Sequence, residues 1–193
     1  MKPRTLLPTI AYDLPGHLFD LLENELNNIK YVEIDTPEKR DEKLKQIQQK
    51  LVWNEVEISE VKILDHRTEK VKVKQSWENP YPMGEEEEIY IVTVEAETTG
   101  SPELFGYSPV AVSFTSSMDQ NVYEPINNKI TLEVRSKKFD KLTVLNEANK
   151  TLTLTKSFIE SNNKWISDYN KTFVNTIEER FNKKADEITK FYS

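Results

Sequence analysis

Few residues in this chain have the type and spacing that chemistry needs. Glu60-Val61-Lys62 is an E-x-K triplet in a stretch with strand-like alternation. In a metal-dependent nuclease or phosphodiesterase, such a carboxylate holds Mg²⁺ while the lysine positions or activates the attacking water. That chemistry also needs an upstream acidic group alongside the strand. Asp35 and Asp41 are the available groups, and each lies near a predicted helix start. The polar face of an amphipathic strand accounts for Glu60 and Lys62 more simply, because 31% of the chain is charged.

The two histidines, His17 and His66, fall in a predicted helix start and a predicted turn. A zinc site would need both, with carboxylates from separate elements, since the chain has no cysteine. His66 beside Asp65 could form a pH-sensitive pair, although a solvated turn is the plainer reading. Neither H-E-x-x-H nor G-x-S-x-G occurs, and the four glycines are too scattered for a phosphate-binding loop. Glu85-Glu86-Glu87-Glu88 is the sharpest charge run. Successive strand carboxylates point to opposite faces, so they read as soluble gatekeepers before Ile89-Tyr90-Ile91-Val92 and not as an ion site. No cofactor and no metal site is expected.

Composition narrows the partners. The 193 residues carry 26 basic and 33 acidic side chains, a net charge of −7, and no basic run. A chain of that sign has no generic attraction to nucleic acid or to an anionic membrane. There is no signal-peptide pattern and no run of about eighteen apolar residues. The expectation is a soluble, cytoplasmic protein, and the sequons at Asn149 and Asn170 then read as chance matches.

Elements must position whatever function there is. Pro15 opens a first helix with Leu18, Leu21, Leu22, Leu26 and Ile29 on one face. Thr36-Pro37-Glu38 starts a second, running to about Leu51 with Leu44, Ile47 and Leu51 inward. From Trp53 the period changes to two. Val56 to Ile63, with a bulge near Ser59-Glu60, and Val71 to Trp77 form a predicted hairpin about a turn at Asp65–Thr68. Strands at Glu88–Thr98, Val110–Phe114 and Ile130–Val134 follow. Five strands without intervening helices favour an antiparallel meander. Residues 139–151 are compatible with either a hairpin or a helix. A helix is expected from about Leu152, with a break at Asn162-Asn163.

The last stretch carries the cleanest signal. From Trp165 to Tyr192, Ile166, Tyr169, Phe173, Ile177, Phe181, Ala185, Ile188 and Tyr192 recur in steps of three and four. That is one stripe of an amphipathic helix roughly 40 Å long. Its polar face mixes signs, which suits a protein counterpart and not a membrane surface.

The sequence therefore reads as α+β, a single domain over 1–193. A helical hairpin (1–52) precedes an antiparallel sheet (53–136) and a C-terminal helical region (137–193). The expected function is a non-catalytic protein–protein interaction or assembly module. It would contact a protein partner, or itself, through Ile166, Tyr169, Phe173, Ile177, Phe181 and Ile188 of the long helix. The alternative is the metal-dependent nuclease or phosphodiesterase with Glu60 and Lys62.

Overall fold

A computed structural model describes residues 5–6, 12–72, 84–108 and 122–192. In chain order the elements are β1 (Thr5–Leu6), β2 (Tyr12–Asp13), α1 (Leu14–Asn27), α2 (Pro37–Leu51), β3 (Glu57–Ile58), β4 (Lys62–Lys72), β5 (Glu86–Thr99), β6 (Tyr107–Ser108), β7 (Val122–Tyr123), β8 (Lys129–Ser136) and α3 (Lys141–Tyr192). Short 3₁₀ turns occupy Tyr31–Glu33 and Pro102–Phe105. The class is α+β, with N-terminal helices, an antiparallel sheet and a long C-terminal helix. The expected strand at Val110–Phe114 and residues 73–83 lie outside the described residues.

The contacts gather into two compact units. The first comprises residues 1–6, 58–98 and 117–156. Its central strand is β5, paired antiparallel with β4 along one side and with β8 along the other. Val92, Val94 and Ala96 sit opposite Val134, Leu132 and Ile130, so these residues share one face. Val144, Ala148 and Leu152 of α3 add to the buried set of the same unit.

One expectation fails in this unit. There is no turn at Asp65–Thr68, because β4 runs straight through to Lys72 and finds its partner in β5. The irregularity expected near Ser59-Glu60 is present as the gap between β3 and β4, where the Ser59 hydroxyl accepts from the Glu97 N–H at 2.9 Å. A second irregularity, a register shift between Ile63 and Asp65, went unread.

The second unit comprises residues 7–57, 99–116 and 157–193. Here α1 buries Leu14, Leu18, Leu22 and Leu26, and α2 buries Ile47 and Leu51. Thr36 caps α2 by accepting from the Lys39 N–H at 3.4 Å, and Pro37 takes the first turn as its missing donor allows. The first turns of α2 are exposed, as their charge requires. From α3 this unit takes Ile159, Ile166, Phe173, Ile177, Phe181 and Ala185, all buried.

α3 is one continuous helix of 52 residues. It begins earlier than Leu152 and does not break at Asn162-Asn163. Asp140 starts it: its carboxylate accepts from the Thr143 N–H at 2.8 Å, and its own carbonyl accepts from the Val144 N–H at 3.0 Å.

Candidate functional site

Within the second unit, α3 holds irregular backbone in place with a row of asparagines. Asn162 is buried on the stripe and donates to the carbonyls of Leu104 and Tyr107, both at 2.7 Å. Asn163 donates to the Val56 carbonyl at 2.7 Å and accepts from the Val56 N–H at 2.8 Å. Asn170 donates to the Trp53 carbonyl at 2.9 Å. The segment 52–56 has no regular secondary structure, yet Trp53 and Val56 are buried. Its backbone polar groups need partners, and the side-chain amides supply them. The asparagines therefore point outward from an intact helix and leave its own ladder alone, which is why no break occurs.

Of the six stripe residues singled out for contact, Ile166, Phe173, Ile177 and Phe181 are buried inside their own unit. Tyr169 and Ile188 are half-buried. Phe173 meets Phe19 of α1 edge-on at 5.6 Å and Tyr169 at 4.8 Å. Burial, and then the nearby Asp13 charge, push the Tyr169 phenol up to about 12. Ion pairs flank the stripe. Arg40 bonds Asp186 and the Asn182 side chain, both at 2.9 Å, and Arg180 pairs with Glu23 beneath a guanidinium–ring contact to Phe19. Glu33 pairs with Lys43 at 2.6 Å, and that bond lowers its carboxyl below the ordinary range, helped by the Lys30 N–H.

The covered stripe gives way to open aromatic surface at its far end. Phe191 is 83% exposed and Tyr192 62%. Tyr192 stacks on Tyr31 at 4.7 Å, and the neighbouring Val32 is 63% exposed. None of Tyr31, Val32 and Phe191 was singled out from the sequence. The signal was available, since the stripe continues to Tyr192 after the first two helices have run out of apolar length.

The residues with chemical promise are dispersed. Glu60 lies exposed in the gap between β3 and β4, and Lys62 is exposed at the start of β4, opposite Glu95. Asp35 pairs with Lys39 at 2.8 Å, and Asp41 is exposed on α2. Among the described residues no group of three or more His, Asp or Glu side chains could hold a metal ion. Asp65 accepts from the His66 backbone N–H at 2.7 Å, while the His66 ring stacks on Phe139 at 4.6 Å. His17 stacks on Tyr107 at 4.2 Å. It borders an open hollow of about 390 Å³ with Asp13, Gly16 and Asp20, where Asp13 complements the positive end of α1. In the glutamate run, Glu87 pairs with Lys137 at 2.7 Å, and Glu86 and Glu88 are exposed opposite Lys72 and Lys70.

No described helix is long and apolar enough to cross a membrane. Compared with known protein families, with curated proteins and with solved structures, the chain matches none.

Proposed function

We propose that the chain is a non-catalytic protein–protein interaction or assembly module that meets its counterpart through the C-terminal helix α3. The observation that carries this reading is the aromatic end of that helix. Phe191 and Tyr192 stand open to water, whereas Phe181 and Ala185 of the same helix are fully covered. Adjacent exposed rings are surface that a partner gains by covering, at roughly 25 cal/mol per Å² of apolar area. Within the reading, Tyr169 and Ile188 can extend the contact. Ile166, Phe173, Ile177 and Phe181 serve it from inside by fixing the helix.

Electrostatics support the same class of function. The net charge of −7 and the mixed polar face of α3 suit a protein surface better than a polyanion. Among the described residues, every pronounced pKa shift moves away from neutrality, with carboxyls lowered, lysines raised and Tyr169 raised. Proton-transfer catalysis works best with a group tuned towards neutral pH.

A photoreactive residue at position 187, exposed one turn before Phe191, is the direct test, with Phe191→Asp/Tyr192→Asp added to the same chain as the control. The expected result is a specific crosslink to one protein partner or to a second copy, lost in the double variant while its circular dichroism is unchanged. A strictly monomeric wild-type chain that crosslinks to nothing would overturn the reading.

A further inference from the structure

A different surface, the outer edge of β4, has its own partner written into its charges. β4 pairs with β5 along one side only, and among the described residues no strand pairs along the other. Leu64 to Lys70 are exposed without exception, Leu64 at 54%. An uncovered strand edge is a template for another strand. Lysines at 62, 70 and 72 and the bulge at Leu64 are the usual guards against such pairing, so the register decides whether a partner fits.

We propose that a second copy of this chain pairs antiparallel with the outer edge of β4 about a two-fold axis at Thr68. Such an axis runs perpendicular to the sheet, and opposed side chains stay on one face only when the axis passes through a residue. An axis through Arg67, Glu69 or Lys70 sets that charge against itself. An axis through His66 pairs Lys62 with Lys70 and runs into the bulge between Ile63 and Asp65. With the axis at Thr68, Thr68 faces Thr68 and Arg67 faces Glu69 of the second copy, twice over. Asp65 meets Val71, and His66 meets Lys70. Threonine pairs and opposite charges directly across a ladder are favourable, and like charges there are not. The contact uses only the regular part of the strand, Asp65 to Val71. Arg67 already bonds Glu133 at 2.9 Å and has donors to spare, while Glu69 has no ion pair among the described residues. The contact uses no residue of the aromatic end of α3, so the inference stands or falls without the proposed function.

Sedimentation of the whole chain over a concentration series tests it, with Arg67→Glu, Glu69→Arg and their equimolar mixture. The wild type is expected to dimerise reversibly. Either variant alone sets like charges opposite at both positions and is expected to weaken dimerisation by roughly tenfold or more. The mixture is expected to restore it. The first variant is acidic at both 67 and 69 and the second is basic at both, so opposite charges face each other at both places. Circular dichroism checks that each variant is folded. A monomeric wild type, a dimer indifferent to both variants, or a mixture no stronger than its components would each overturn the proposal.

Discussion

Asn162 shows how much a single buried amide can organise. It sits on the inward stripe of α3 and gives both N–H groups to carbonyls of residues 104 and 107. Replacing it with alanine takes away both of these donors. A buried acceptor left without a partner costs about 1–3 kcal/mol. Asn162→Ala is expected to lose roughly 2–4 kcal/mol in urea unfolding, and a loss below about 1 kcal/mol would mean that water substitutes freely. Tyr169 behaves in the opposite way. Its hydroxyl is buried without a hydrogen-bond partner among the described residues, so removing it strands nothing. Its folded pKa of about 12 lies above the ordinary value of 10.0. An acid raised in this way favours the fold fully below the ordinary value and loses that contribution as pH rises towards the folded one. Tyr169→Phe is therefore expected to match or exceed wild-type stability at neutral pH. It should also flatten the fall in stability between pH 10 and about 12. An unchanged alkaline limb would place the ionisation elsewhere.

At the scale of elements, α3 separates what is covered from what is offered. Phe173 is fully buried and Phe191 almost fully exposed, and they belong to one helix. Phe173→Ala is expected to cost about 3–5 kcal/mol, and Phe191→Ala less than about 0.5 kcal/mol. Similar losses for both would mean that the end of the helix is covered in solution. The helix start is equally specific. Asp140 accepts from the Thr143 hydroxyl and N–H, and those bonds hold its carboxyl below the ordinary 3.8. A depressed carboxyl supports the fold fully above that ordinary value, and its support is lost as pH falls through the folded one. Asp140→Ala is expected to lower Tm by about 2–4 °C at neutral pH, with the difference from wild type closing as the carboxylate is protonated in acid. A difference that persists in acid would show that the carboxylate is not the cause.

The elements differ in how legible they were. The Thr36-Pro37 start and the stripe from Ile166 to Ala185 could be read because caps and apolar spacing are local properties. The helix over residues 141–151 could not, since Leu-Thr-Val-Leu and Thr-Leu-Thr-Leu alternate like strands while the buried face runs through Val144, Ala148 and Leu152. Nor could the uninterrupted β4. Asp65-His66-Arg67-Thr68 has turn-like composition, and only the long-range ladder to Ile91, Val92 and Thr93 makes it strand. For the candidate contact surface, periodicity marked the apolar stripe of α3. It could not reveal which part of the stripe α1 and α2 cover.

The whole molecule carries two buried sets, one drawn from β5, β8 and the first turns of α3, the other from α1, α2 and the rest of α3. Where a chain divides in this way, opening can be local, and each set of amides reports the free energy of its own opening. Phe181 lies wholly in the second set, and removing its ring leaves a cavity that costs about 3–5 kcal/mol. Native-state hydrogen exchange of Phe181→Ala should therefore show faster exchange at Leu18, Leu22, Ile47 and Ile177. Protection at Ile91, Val92, Val94 and Leu132 should stay near the wild-type level. The shared helix gives the competing outcome, since α3 runs without a break from one set into the other. If it transmits the loss, protection falls at both sets together and the chain opens as one body. Two separate responses would instead mean that residues 157–192 can loosen, and present their aromatic end, while the sheet keeps its own stability.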